Sequence, residues 1–230
     1  MGGIMRQPAV MIHTCPDRIA YVTEFLKPRL EAQGFNDITI YNDTERIGCR
    51  ESYIKSIESL PETGHTWHLQ DDVLPDQRFY EWATSEWYEY PGIICGFGCG
   101  HYTPRSRFGF ARNSEDMFYS FPCIRIPNEV AKDMIAWFAE ARKTDINILE
   151  KLPSGKFFDY FFKLYIGNNE KEIGIYNFFP NIVEHVDEYI SGSLVNKQRK
   201  YLAKAIQFDD KKAIEDLEVW SKEYKLRRME

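Results

Sequence analysis

The order of apolar runs between Pro8 and Val73 limits the possible folds more than any other feature. Pro8 to Thr14 (PAVMIHT) is a short apolar run of the kind that forms a buried strand. After the turn CPDR, Arg18 to Gln33 carries Ile19, Val22, Phe25, Leu26 and Leu30 on one side at helical spacing. Gly34 follows, the residue type that closes a helix in a left-handed C-cap. Asp37 to Tyr41 (DITIY) predicts a second strand, and the polar segment Asn42 to Gly48 a loop. Arg50 to Leu60 is amphipathic, with Tyr53, Ile54, Ile57 and Leu60 inward, and His65 to Val73 predicts a third strand that ends at a pair of aspartates. Strands separated by helices imply parallel pairing, because a parallel neighbour needs a crossover. Ligands of such sheets bind beyond the carboxyl ends of the strands. The loops after Thr14, after Tyr41 and at Asp71–Asp72 are therefore expected to converge on one site.

The second half is less regular. Helices are expected over Asp76 to Tyr88, Pro127 to Arg142 and Lys156 to Tyr165, with Pro127 in a first turn where its missing N–H costs nothing. Strands are expected at Gly92 to Gly98, Phe118 to Ile126 and Gly174 to Phe178. Residues 100–116 read as a basic loop, and the last thirty residues as a charged helical tail. No repeat, low-complexity tract or linker divides the chain. The expectation is one α/β domain of 230 residues: a nucleotide-binding half over 8–75, an acceptor half over 76–200 and a tail over 201–230.

Composition excludes some classes. A net charge of −6 gives no global attraction to nucleic acid or an anionic membrane, so any such contact must come from a local patch. No apolar run approaches the length needed to span a bilayer, and the N-terminus does not read as a signal peptide. The five cysteines are odd in number, scattered and without a CxxC pair, which suits free thiols in a reducing cytoplasm. Cys95, Cys99 and His101 make at most half a zinc site.

Three places carry candidate chemistry. HLQDDVLP puts Asp71 and Asp72 side by side at a strand end; the pair suits a hard divalent ion such as Mg²⁺ or Mn²⁺, and equally an acidic turn or N-cap. In PNIVEHV, His185 is either a structural histidine or the imidazole that completes a site begun by carboxylates. Asp159 in GKFFDYFF is framed by aromatics; if buried, its raised pKa suits a general acid or base. GFGCG is not a dinucleotide fingerprint, since it opens no helix. Arg105, Arg107 and Arg112 are a basic loop or plain solvated surface.

Taken in order, these segments resemble a nucleotide-sugar glycosyltransferase of the GT-A type, a Rossmann-like α/β sandwich with a D-x-D-like motif at a strand end. The resemblance is carried by VMIHTCPDR, RESYIKSIESL, WHLQDDV, FYSFPCIRIPNEVAKDMIAWF and PNIVEHVDEYISGSLVN, and covers roughly residues 8–200. The SLVN-x-x-R ending is similar to small bacteriophage glycosyltransferases, some of which modify hydroxymethylated bases in DNA.

The resemblance implies a donor, a metal and a set of roles. The donor is a nucleotide-sugar, by expectation a UDP-sugar, lying over the loops after the first two strands. Thr14, Pro16 and Arg18 shape the base and ribose pocket, Asp43 contacts base or ribose, and Asp71 approaches sugar hydroxyls. Asp72 and His185 hold Mn²⁺ or Mg²⁺, and Asp159 is the expected catalytic residue. One position departs from the pattern: Gln70 stands where many relatives carry an acid, which predicts weaker metal dependence. The acceptor is a glycan, a protein or modified DNA, the last needing Arg105, Arg107, Arg112 and Arg125 as a positive patch. The expected compartment is the cytoplasm, that of the host if the chain is phage-encoded. Two other classes stay open: a catalytically degenerate sugar-nucleotide-binding module and a nucleotidyltransferase.

Overall fold

The computed structural model describes residues 7–85, 91–97, 109–113, 122–144, 162, 164–167, 173–179, 181–190, 208 and 210–227. The first strand, β1 (Ala9–Thr14), leads into helix α1, which runs through Ile19–Tyr21, Val22–Leu26 and Lys27–Gln33. Its middle segment is a π turn in which the Lys27 N–H reaches back to the Val22 carbonyl. Pro28 explains the widening: its ring cannot fit beneath a regular helical carbonyl and it has no N–H to donate. At the far end Gly34 adopts φ 115° and a Schellman closure forms, with Gly34 N bonded to Glu31 O and Phe35 N to Leu30 O. Phe35, next to that glycine, is fully buried.

Strand β2 (Asp37–Asn42), helix α2 (Cys49–Glu58) and strand β3 (His65–Gln70) complete the expected β-α-β-α-β unit. The remaining described elements are β4 (Val73–Pro75), α3 (Phe79–Ala83), β5 (Ile93–Cys95), β6 (Gly109–Asn113), β7 (Cys123–Pro127), α4 (Asn128–Thr144), β8 (Ile175–Phe179), β9 (Val183–His185), α5 (Asp187–Ile190) and α6 (Lys211–Arg227). Seven strands form one sheet in the order β2-β1-β3-β7-β5-β8-β6. β1 is parallel to β2 and β3, and β5 to β8, while β7 and β6 run against their neighbours. Five of the seven strands thus share a direction, so the sheet is mostly parallel in its first half and mixed in its second, as expected.

The chain steps from β1 to β2 on one side and returns to β3 on the other. That reversal is a topological switch point, where the loops at the strand ends diverge and leave a crevice. Strand alternation sends Val10 and Ile12 to one face and Met11 to the other. The first face packs on Tyr21, Val22, Leu26 and Leu30 of α1 and on Ala213, Leu217 and Trp220 of α6. The second packs on Tyr53 and Ile57 of α2 and on Ala131, Met134 and Phe138 of α4. A sheet covered on both faces is the arrangement that a parallel core requires.

Four expected boundaries are corrected. The third strand does not continue to Val73: it leaves the main sheet at Gln70, turns through Asp71 and Asp72, and Val73–Pro75 pairs antiparallel with β9 instead. Adjacent carboxylates are poor ladder residues in a sheet covered on both faces, so the chain turns at them and leaves each partly exposed. The basic segment 100–116 contains strand β6. Pro127 closes β7, and the helix begins one residue later at Asn128. Asn128 explains this start, since it accepts from Thr66 Oγ1 at 2.8 Å and donates to Thr63 O at 3.2 Å. In GIICGFG only Ile93–Cys95 is strand, and Gly96 is required by packing: a Cβ there would lie 2.6 Å from Cys123 Sγ and from Ile182 Cγ1.

A buried polar chain crosses the second core. His13 Nε2 and His68 Nδ1 are 2.9 Å apart, His13 Nδ1 and Ser56 Oγ 3.3 Å, and Ser56 Oγ donates to Tyr53 O at 2.8 Å. Since Ser56 spends its proton on Tyr53, one tautomer set satisfies every link: His68 Nδ1–H to His13 Nε2, and His13 Nδ1–H to Ser56 Oγ. His68 Nε2 is then a buried lone pair, without a partner among the described residues. Burial lowers both imidazoles, His68 to about 3. The unfolded chain takes up these protons first, near pH 6.5, so stability is full above that value and falls as pH drops toward 3. His68→Asn keeps a donor for His13 but does not titrate. Its unfolding free energy, from urea melts between pH 6.5 and 4, should fall less steeply by about 1.4 kcal/mol per pH unit, one proton's worth.

Candidate metal centre

The site is built at the carboxyl end of β1 and β3 by four segments distant in sequence. Thr14 ends β1, and Arg18 follows a tight turn whose Arg18 N–H donates to Cys15 O at 3.0 Å. Asp71 and Asp72 form the turn between β3 and β4. Antiparallel pairing of β4 with β9 sets Val73 opposite His185, and Val186 N donates to Asp72 O at 2.8 Å. That register brings His185 and Asp187 beside the aspartate pair. Tyr21, fully buried on α1, donates to Val73 O at 2.7 Å and fixes the helix to the same turn.

Arg18 lies at the centre, only 3% exposed. Its Nη1 is 3.0 Å from Asp71 Oδ1 and 2.9 Å from Asp72 Oδ2, and its Nη2 donates to Asp187 Oδ1. His185 Nε2 is 3.2 Å from Asp72 Oδ2 and 3.8 Å from Asp187 Oδ2. Electrostatics follow the geometry. Burial pushes the Asp71 carboxyl up to about 6, aided by Asp72 and opposed by Arg18. Asp187 is likewise raised by burial and by the charge of Asp72. Burial opposes ionisation of Asp72 too, but the hydrogen bond and charge of His185, together with Arg18, hold it below the usual carboxylate range. Arg18 loses solvation, yet Asp72, Asp71 and Asp187 more than compensate and keep it firmly charged.

Three carboxylates face one guanidinium here, so with His185 neutral, the form that can ligate a metal, the ionised cluster carries an excess of two negative charges. Burying such an excess is costly unless a cation or protons neutralise it. Asp72, His185 and Asp187 each offer a ligand atom, all within 4.8 Å of one another. An octahedral ion with ligands at about 2.1 Å places neighbouring ligand atoms about 3 Å apart and opposite ones about 4.2 Å apart. The 3.2 and 3.8 Å separations around His185 Nε2 lie in that range. Asp72 Oδ1 is moreover buried with no hydrogen-bond partner among the described residues. Two carboxylates and an imidazole form a donor set suited to Mn²⁺ or Mg²⁺.

No protein-family model and no curated protein matches this chain. The remaining predicted residues fall as follows. Thr14 is buried beside the site, and its hydroxyl donates to Cys15 O at 3.3 Å. Pro16 is exposed on the same loop. Arg18 is turned into the carboxylate cluster. Asp43 N donates to Thr14 O at 2.8 Å, which joins the loops after β1 and β2 as expected. The Asp43 carboxylate itself ties that loop, accepting from Ile47 N and Gly48 N, each at 3.0 Å. Asp159, Arg105 and Arg107 lie outside the described residues, as do Cys99 and His101; Arg112 falls on β6. Arg125 does not belong to a surface patch: it is fully buried and donates to Gly92 O at 2.7 Å.

Asp187 is the site residue that sequence reasoning missed. Its signal was the His-x-Asp spacing in EHVDEY, which at a strand end returns both side chains to one side. If Asp72, His185 and Asp187 are ligands, millimolar Mn²⁺ should raise the melting temperature by a few degrees. His185→Ala and Asp187→Asn should each lose most of that shift. A full shift in Asp187→Asn would assign it to holding Arg18 alone.

Proposed function

We propose that the protein is a GT-A-type glycosyltransferase that moves a sugar from a nucleotide diphosphate sugar to an acceptor hydroxyl. The observation that carries this reading is the Asp71–Asp72 turn at the β1/β3 switch point, joined there by His185 and Asp187. Asp72, His185 and Asp187 would hold the divalent ion, Mn²⁺ or Mg²⁺, which when bound supplies neutralisation of the diphosphate leaving group.

The chain's own residues do the rest. Thr14 and the 15–18 turn form one wall of the crevice, and the loop tied by Asp43 forms another. A base and ribose would lie over these joined loops, at the ends of β1 and β2. Asp71, beside the ligand set, accepts hydrogen bonds from sugar or ribose hydroxyls. Arg18, fixed by three carboxylates, places a permanent positive charge where negative charge grows on the departing diphosphate. Asp159 is the proposed base toward the acceptor hydroxyl if the reaction inverts configuration. The acceptor is a glycan, a protein or a hydroxymethylated base in phage DNA; buried Arg125 leaves Arg105, Arg107 and Arg112 to meet a DNA acceptor.

The test is a donor screen. Incubation with UDP- and GDP-sugars plus Mn²⁺ should release nucleoside diphosphate, and Asp72→Ala should lower the rate by about a hundredfold or more. Release of pyrophosphate instead would identify a nucleotidyltransferase. A protein that binds nucleotides without turnover would be a binding module, and one that neither turns over a donor nor gains thermal stability from any nucleotide would sink the proposal.

A further inference from the structure

We propose that Arg18 is the resident counter-cation of the site: it keeps the carboxylate cluster folded without a metal, and for that reason weakens the cluster's hold on a divalent ion. The inference rests on the ion-binding role proposed for Asp72, His185 and Asp187, and not on sugar transfer.

The guanidinium divides its nitrogens between the carboxylates. Nη1 serves Asp71 Oδ1 and Asp72 Oδ2, while Nη2 serves Asp187 Oδ1. Asp187 Oδ2, the oxygen on the His185 side, is not the one Arg18 holds. Asp72 Oδ1 has no hydrogen-bond partner among the described residues. The fork holds Asp187 through Oδ1 and leaves Oδ2 toward His185, whereas at Asp72 it shares Oδ2 with His185 Nε2 and leaves Oδ1 without a hydrogen bond among the described residues. Three carboxylates within reach of one another, Asp187 buried and Asp71 and Asp72 mostly so, would repel strongly without it. The same positive charge, a few ångströms from the ion position, repels an incoming divalent ion. Two effects follow with opposite sign: Arg18 orients the ligands, which favours binding, and it opposes the ion's charge, which disfavours it. Charge repulsion at this range in a poorly solvated site is the larger effect, because Asp72 and Asp187 are also anchored through Val186 N, the β4–β9 ladder and helix α5. Arg18 is thus a positioning residue that trades ion affinity for stability.

The experiment compares wild type with Arg18→Met and Arg18→Lys, using Mn²⁺ alone as the probe. Free Mn²⁺ is followed by electron paramagnetic resonance, and thermal unfolding is recorded in chelator and in Mn²⁺. Arg18→Met should melt lower than wild type in chelator, bind Mn²⁺ about tenfold more tightly or better, and gain more stability from it. Arg18→Lys keeps the charge and should stay within a few-fold of the wild-type Mn²⁺ affinity. The inference is overturned if Arg18→Met binds Mn²⁺ no more tightly than wild type, if it is equally stable in chelator, or if no variant binds Mn²⁺. Should Arg18→Met fail to fold even with Mn²⁺, the neutral, hydrogen-bonding Arg18→Gln carries the test: tighter binding supports the inference, and equal or weaker binding overturns it. None of these readouts involves a sugar donor. A protein that transfers no sugar but passes them keeps the inference, and an active transferase that fails them loses only this inference.

Discussion

The contact between Arg18 and three aspartates is the constraint around which the carboxyl edge of the sheet is organised. One guanidinium joins the start of α1, the turn after β3 and the start of α5. These segments are 53 and 169 residues from Arg18 in sequence, so the contact closes long loops and needs other interactions to bring its parts together. The β4–β9 ladder does so for the aspartate turn, and the Tyr21 hydroxyl does so for the helix. The ion cluster is thus a consequence of the packing, and it then fixes side-chain positions within a frame already set. Buried ion pairs are weak sources of net stability but strong sources of geometric definition when fully hydrogen-bonded. That is the property a binding site needs.

The frame itself is apolar. The two faces of the sheet are covered independently, one by α1 and α6 and the other by α2 and α4. The polar exceptions sort by location. The His68–His13–Ser56 chain lies within the second core and runs on to Tyr53 O of α2, so it specifies how α2 sits on the sheet. Asp76 and Asp210 are equally buried but serve backbone: Asp76 accepts from Arg78 N, and Asp210 from Gln77 N and Ala213 N, besides pairing with Arg29. Those carboxylates start helices and tie α6 to the body. The cluster around Arg18 differs because its charges do not balance internally. It sets three carboxylates against one guanidinium and the His185 imidazole, with a buried Asp72 oxygen that has no hydrogen bond among the described residues.

Local regularity was legible in the sequence, and long-range register was not. The helix ending at Gly34, the strands starting at Ala9, Asp37 and His65, and their parallel order follow from periodicity and turn residues within short windows. The split of HLQDDVLP between two sheets depends on pairing with residues more than a hundred positions away, which no local pattern encodes. Gly96 reads as part of the strand expected over Gly92 to Gly98, but its role is set by the side chains of Cys123 and Ile182 against it. Arg125 shows the same limit with opposite sign. A charged residue in FPCIRIPNE suggests an exposed edge, yet its partner Gly92 O comes from another part of the chain and allows full burial. Of the site, Asp72 and His185 were readable because each stands at the end of an apolar run. Arg18 was readable as a residue near the site but not as its central charge, since that depends on which carboxylates the register delivers.

Gln70 gains a different meaning from the same register. As the first member of the Q-D-D triplet it lacks the acid that would stand beside Asp72 in an E-D-D version. It is still a sheet residue, set opposite His13, with its N–H bonded to Pro122 O at 2.9 Å. By strand alternation it shares the face of His68 and Thr66, which packs toward the second core. An acid at this position would add a carboxylate beside the neutral His13–His68 pair, which burial already keeps from accepting protons. The third carboxylate is supplied instead by Asp187, carried in by β9 and held by the same guanidinium that holds Asp71 and Asp72. Gln70 therefore takes nothing from the Asp72–His185–Asp187 cluster. The third acid stands at the start of α5, brought there by the β4–β9 register and held by Arg18.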